Sequence, residues 1–447
     1  MADFGWSAAT VARLLDVGFA GPELSLSRVV IDSREDCAGA LFVALRGERF
    51  DGHDFVGEAA RRGAVAAVVE REPALATGLA LIRVDNALAA LQRLGAARRA
   101  EFGGTVAAIT GSSGKTTTRS LLASILGVAG PTHQPRGNFN NHIGLPLTLL
   151  GLHAGQRFAV LELGCSGFGE IAALTALARP DLGLVTNVGP AHLEQLGDLD
   201  GVARAKGELL AGLAPGAVAL FNADDPRVLR MPTAARRRVT WGRGATAEVR
   251  LVDREPRGAS GQRLVLEVFA QPLELLLPLI GSHNAINAVA AAAAAFALGQ
   301  TAGQVAEGLS LAARTAGRLD PRPGRCDALI LDDTYNANPA SVRAALGALA
   351  ELAGRGEAVV VLGDMLELGD HGEREHRDIG GVVAALEPAL LVTMGLLGAE
   401  IGRGAAAAGL EPARIRSAGD HEAARRIVEP LLGAGRVVLV KGSRGMR

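Results

Sequence analysis

Residues 105–118 read Thr-Val-Ala-Ala-Ile-Thr-Gly-Ser-Ser-Gly-Lys-Thr-Thr-Thr, and the reading of this stretch decides the fold. Apolar, partly β-branched residues up to Ile109 predict a short buried strand, and Lys115-Thr116-Thr117 opens a helix to about Leu126. The turn between them, Gly111-Ser112-Ser113-Gly114, aims backbone N–H groups and a helix N-terminus at one spot, where a phosphate chain can sit. There Lys115 would bridge the outer phosphates and the Thr116 hydroxyl would ligate Mg²⁺. The loop is shorter than G-x-x-x-x-G-K-[ST], with Gly111 and Gly114 framing two serines, so taken alone it also fits an ordinary βα turn.

Downstream, strand and helix patterns alternate over 104–313, which predicts a mostly parallel sheet with helices on both faces. The strand Phe158-Ala159-Val160-Leu161 delivers Glu162 at its end, as a partner for a metal held by Thr116 or as a plain cap. The strand from Leu182 to Thr186 leads to Asn187 and His192, the latter a candidate metal ligand through a neutral imidazole. Strands at 248–252, 263–269 and 273–279 then predict an antiparallel ribbon on the sheet's edge. Gly281-Ser282-His283-Asn284 opens an alanine-rich helix, with Asn284 either capping it or reading a base edge.

Residues 1–85 are expected to form a small α/β domain, with polar loops Asp32-Ser33-Arg34 and Arg46–His53 after strand ends. Such loops are either ligand contacts or solvated turns. A helix over 86–103 is read as the linker to the central domain. The last part, 314–447, again alternates, predicting a doubly wound Rossmann-like domain without a phosphate loop of its own. Its strand at 327–331 ends in Asp332-Asp333-Thr334-Tyr335-Asn336-Ala337-Asn338-Pro339, and its last strand in Lys441-Gly442-Ser443-Arg444-Gly445-Met446.

Composition narrows the function. A net charge of −1, without a basic run or a basic face interleaved with aromatics, argues against a nucleic-acid partner. The longest apolar run, 288–299, is mostly alanine and too short to span a bilayer, so no membrane insertion is expected. Residues 1–20 show no secretory pattern, and Cys37, Cys165 and Cys326 lie far apart, which fits a reducing compartment; a cytoplasmic monomer is expected. Of 46 Lys and Arg residues only Lys115, Lys206 and Lys441 are lysine. Where arginine serves for generic charge, a surviving lysine marks a place for a compact, deprotonatable amine.

Together these segments resemble the Mur ligase family, ATP-dependent amide-forming enzymes of peptidoglycan synthesis. The resemblance rests on T-G-x-x-G-K-T-T, Asn187…His192, Lys206 with Glu208, and Gly281…His283-Asn284…Asn287. Within the family, Gly137-Asn138-Phe139-Asn140-Asn141-His142-Ile143-Gly144, Asp333–Pro339 and the 441–446 segment resemble the member acting last. Its partners would be UDP-N-acetylmuramoyl-tripeptide and D-alanyl-D-alanine. The resemblance implies ATP on Gly111, Ser112, Ser113, Gly114, Lys115, Thr116 and Thr117, adenine on Asn284, ribose on Asp333 and the phosphate end on Arg318. It implies two Mg²⁺ ions, one on Thr116 and Glu162, the other on His192 and a carbamylated Lys206. Lys115, Glu162, His192 and Lys206 would be the catalytic set. Ser33 and Arg34 would contact the UDP end, with Asn138, Asn141, Tyr335 and Asn336 also facing substrate. Lys441, Ser443 and Arg444 would orient the dipeptide.

Overall fold

The computed structural model describes residues 4–73, 78–135 and 137–446, in three α/β units each built on its own sheet; Arg136, beside the Asn-rich loop, lies outside the described residues. The first sheet is β1 (Arg28–Val30), β2 (Ala40–Val43), β3 (Ala66–Val69) and β4 (Ala80–Arg83), in that order and all parallel. The sequence reading lacked β4, whose four residues end in a charged Arg83 and carry little strand pattern. The helix Ala87–Glu101, started by an Asn86 side chain that accepts from Ala89 N–H, buries Ala87, Leu91 and Leu94 against β2–β4. At Gly95 the same helix approaches Pro146 of the second unit so closely that a Cβ would sit 2.9 Å from Pro146 Cα.

The second unit is a nine-stranded sheet of β5 (Thr105–Thr110), β6 (Thr132–His133), β7 (Phe158–Glu162), β8 (Leu182–Val185), β9 (Val218–Asn222), β10 (Arg237–Gly242), β11 (Val249–Pro256), β12 (Gln262–Val268) and β13 (Gln271–Leu277). Their order is 13-12-11-10-9-8-5-7-6, parallel from β6 to β11, with β12 and β13 an antiparallel ribbon on the edge. The ribbon matches expectation; β9 and β10 were not read from the sequence. Helices Lys115–Ala129, Ser282–Ala297 and Ala302–Ser310 cover one face, and Gly144–Leu150, Glu170–Ala178 and Leu199–Ala211 the other. The alanine run is fully buried: side chains of one carbon let that helix lie close to both the sheet and Lys115–Ala129.

The third sheet is β14 (Asp320–Pro323), β15 (Leu329–Asp333), β16 (Ala358–Leu362), β17 (Leu390–Met394), β18 (Ile415–Ala418) and β19 (Val437–Lys441), in the order 14-15-19-16-17-18. Only β14 is antiparallel. The loops after β15, β16 and β19 therefore emerge side by side at the strands' C-terminal edge, where an open α/β sheet binds its ligands. β15 runs two residues beyond the expected end, which puts Asp333 in register with Lys441.

Candidate active site

β5 hands the chain to the loop at Gly111, whose φ is +143°, and Gly114 follows with φ +78°. A Cβ at either would collide, with Thr186 Oγ1 or with Asn287 Oδ1. The segment after β8 fastens the loop. Asn187 Oδ1 accepts from the Ser113 N–H and hydroxyl at 3.1 Å each, and Thr186 Oγ1 donates to the Ser113 carbonyl at 2.6 Å. Ser112 Oγ donates to the Gly189 carbonyl at 3.0 Å and accepts its N–H at 2.9 Å. Both serines are thus taken up in holding the loop's shape. What the loop offers a phosphate is the helix start, where the first N–H groups have no intrahelical partner.

Lys115 folds back, its Nζ donating to the Gly111 carbonyl at 2.7 Å. Burial pushes its pKa down to about 8; repulsion from Lys206 adds to this and the Glu162 carboxylate opposes it. Beside it, the Thr116 hydroxyl donates to Glu162 Oε2 at 2.8 Å, while Asn140 Nδ2 donates to Glu162 Oε1 at 2.8 Å. Glu162 is buried at the end of β7, as the strand pattern predicted. Asn140, the neighbour of two loop residues singled out above, is what orients it. Asn138 is exposed, and Asn141 Oδ1 accepts from Gly144 N–H at 2.9 Å, fixing the start of Gly144–Leu150.

Lys206 is 1% exposed, and its Nζ lies 2.9 Å from Cys165 Sγ. Nothing in the sequence pointed to Cys165. Glu208 accepts from Gly169 and Ala172 N–H at 2.7 and 3.0 Å, so it caps the Glu170–Ala178 helix. His192, in the left-handed region at φ +55°, pairs through Nδ1 with Glu367 Oε2 of the third unit at 2.8 Å. Burial lowers its pKa, against the pull of Glu367, with Lys206 and Lys115 lowering it further.

Arg318 crosses from the third unit: its Nη2 donates to Thr116 Oγ1 at 3.0 Å, and its guanidinium lies 4.2 Å from the Tyr335 ring centroid. Arg444 approaches the same ring at 5.5 Å, and its backbone N–H donates to Asn336 Oδ1 at 3.3 Å. Lys441 is buried, donating to Asp333 Oδ2 at 2.6 Å and to the Asn336 carbonyl at 2.9 Å. Asp333 Oδ1 also accepts from Leu319 N–H at 3.0 Å. Burial raises the pKa of Asp333 and lowers that of Lys441, and each partner counters the shift of the other. Asn284 Nδ2 donates to the Ile280 carbonyl at 2.8 Å, and its Oδ1 accepts from Asn287, which in turn touches Thr118 beneath the loop.

The structure thus joins the phosphate loop, Glu162, Lys206, His192 and Arg318 into one neighbourhood, with Tyr335, Asn336, Arg444, Asp333 and Lys441 reached through Arg318. Ser33, buried, and Arg34, exposed and paired with Asp32 at 2.6 Å, belong to the first unit after β1. Asn140, Asn187, Cys165, Asn287 and Glu367 are the residues the sequence reading left out of its site.

Fold and loop define a three-unit α/β protein of the phosphate-loop class. The comparisons carry this further. Residues 25–99 match the model for the Mur ligase family catalytic domain, 109–295 the Mur ligase middle domain, and 317–444 the Mur ligase glutamate ligase domain. A Bacillus subtilis relative, UDP-N-acetylmuramoyl-tripeptide–D-alanyl-D-alanine ligase, is 36% identical over 441 residues, covering 98% of this chain and 95% of its own. Among solved structures, MurF from Acinetobacter baumannii superposes with a TM-score of 0.88 at 33% identity, covering 99% of this chain and 96% of that one. MurF ligase from Thermotoga maritima in complex with ADP gives 0.81 at 30%, covering 94% and 95%. The chain belongs to the Mur ligase family.

Proposed function

We propose that this chain joins D-alanyl-D-alanine to UDP-N-acetylmuramoyl-tripeptide with hydrolysis of ATP to ADP and phosphate, forming the pentapeptide precursor of peptidoglycan. The observation that carries the substrates is the near full-length match to the ligase of that name. The geometry supplies the chemistry.

The tripeptide's terminal carboxylate attacks the γ-phosphorus of ATP, releasing ADP and leaving an acyl phosphate. The dipeptide's amine then attacks that carbonyl, and the tetrahedral intermediate expels phosphate and a proton. In the first step two anions meet, so positive charge has to be waiting for them. Lys115 and Arg318 supply it on the side of the transferring phosphoryl group. Helix Lys115–Ala129 adds its N-terminus. Asn284 is assigned to the adenine and Asp333 to the ribose. Ser33 and Arg34 hold the UDP end, and Asn138 and Asn141 line the tripeptide's path.

Thr116 and Glu162 fit Mg²⁺: a hydroxyl and a carboxylate, both hard oxygen donors, converge at 2.8 Å beside the loop. His192 and Lys206 would hold a second ion once the Lys206 amine has added CO₂ and lost a proton, which turns a cation into a carboxylate-like donor. A thiol is the only described partner of this buried amine, a poor substitute for water and a reason to modify it. Bound magnesium would neutralise phosphate charge in both steps. At the acceptor end Tyr335, Asn336 and Arg444 face the dipeptide, while Lys441 and Ser443 act through the loops they pin. The domain limits are taken at 85, 103 and 313, and the enzyme as a cytoplasmic monomer. Among the described residues no helix is long and apolar enough to cross a membrane.

ADP release by the purified protein, measured against a panel of UDP-linked peptides and amine acceptors, tests the reading. Release that requires D-alanyl-D-alanine supports it; equal release with glutamate as acceptor overturns it.

A further inference from the structure

The loop after β16, residues 363–369, belongs to the third unit but ends in the second. Its root is pinned twice: the Met365 N–H donates to Nε2 of the buried His376 at 2.8 Å, and the Leu366 N–H donates to Ser443 Oγ at 2.9 Å. Glu367 follows at φ +65°, a backbone conformation that a glutamate adopts only when its surroundings hold it there. Its side chain, 60% exposed, reaches His192 with Oε2 at 2.8 Å from Nδ1, and no other described side chain pairs with it. Two residues on, Gly369 lies against Glu194, so the loop docks beside His192 over more than one residue.

Charge makes this placement informative. Lys115 and Arg318 place positive charge in the neighbourhood of His192 and the phosphate loop. Glu162, the other carboxylate there, already takes bonds from Thr116 and Asn140. An acceptor that enters as an ammonium ion is repelled by those cations, and Glu367 is the anion available to offset them. The loop also borders an open cavity of about 390 Å³ lined by Tyr335, Val361, Gly363, Met394, Lys441 and Arg444, among others, with no carboxylate in its wall. Gly445 abuts Leu366: a Cβ on it would stand 2.9 Å from Leu366 Cδ1. Arg444 and Glu367 therefore sit on touching segments, a cation for the dipeptide's carboxylate and an anion for its other end.

We propose that Glu367 binds the ammonium group of the incoming dipeptide and so positions its nitrogen beside His192. This rests on the ligase reading above and adds to it the residue that receives the amine.

The test compares D-alanyl-D-alanine with propionyl-D-alanine, the same acceptor lacking its amine, as a competitive inhibitor of the wild-type enzyme and of Glu367→Gln. Glu367→Gln, at an exposed side chain, is expected to raise the KM for the dipeptide roughly tenfold while leaving the KM for ATP and for the UDP-tripeptide unchanged. The inhibition constant of propionyl-D-alanine is expected to stay within about twofold, since it has no charge to lose. Glu367→Asp should recover part of the dipeptide's affinity. If Glu367→Gln weakens both ligands equally, or raises the KM for ATP instead, the assignment is wrong. A wild-type enzyme that forms no amide with D-alanyl-D-alanine overturns the ligase reading itself, a separate outcome.

Discussion

Arg318 Nη2 donates to Thr116 Oγ1 at 3.0 Å, tying the start of the third unit to the phosphate loop of the second. The guanidinium is stacked on Tyr335 at 4.2 Å, so its plane is set before any nucleotide arrives. One side chain thereby reports to both domains.

Replacing Arg318 by lysine keeps the charge and loses the planar stack and the directed bond. Arg318→Lys is expected to lower kcat/KM for ATP by roughly tenfold to a hundredfold. Tyr335→Phe should retain activity within about twofold, whereas Tyr335→Ala should lose a further factor of about two to five, the worth of an exposed cation–π contact. Steady-state kinetics on the three variants checks this.

Asp333 and Lys441 are buried partners across the β15–β19 register, and Asp333 also holds Leu319 N–H. Removing one charge strands the other. Asp333→Asn or Lys441→Met is expected to cost about 3–5 kcal/mol, and the double variant distinctly less than the sum. Denaturant unfolding of the isolated variants measures both, followed where the third domain's signal can be separated.

Much of this was legible in the sequence, and the misses have physical causes. The phosphate loop, Glu162 and the edge ribbon could be read because each is local: a strand, a turn and a helix start lie within a few residues. β9 was passed over because a fully buried parallel strand lacks the alternation that marks an exposed one, and β4 and β10 because Arg83 at the end of the one and Arg237-Arg238 at the start of the other break up short apolar runs. The Asp333–Lys441 pair depends on register between strands over a hundred residues apart, which no local pattern encodes. Glu367 carries no local signal in the sequence, since only the fold brings it across to His192. Lys206 was singled out by the scarcity of lysine, but its thiol neighbour is a matter of packing alone.

Lys206→Arg is expected to lower turnover by roughly a hundredfold or more, because a guanidinium cannot form the CO₂ adduct. Lys206→Ala should be equally impaired, and added short carboxylic acids should restore part of its activity by standing in for the carbamate. Wild-type turnover in Lys206→Arg would remove the carbamate from the mechanism.

His283 opens the alanine-rich helix with its Nδ1 buried and without a hydrogen-bond partner among the described residues, and burial lowers its pKa to about 4. The unfolded chain, with an ordinary imidazole, binds a proton between about pH 6.5 and 4 where the folded one does not. Stability is therefore expected to fall as pH drops through that window, by about 1–3 kcal/mol from this residue. His283→Asn should flatten that part of the profile of melting temperature against pH.

The central claim is that the tripeptide's carboxylate becomes an acyl phosphate before the amine arrives. Enzyme supplied with Mg²⁺, ATP, D-alanyl-D-alanine and UDP-tripeptide labelled with ¹⁸O in its terminal carboxylate tests this most directly, with the released phosphate read by mass spectrometry. One labelled oxygen in each phosphate is the predicted result. Phosphate released without label, alongside amide product, would contradict the account.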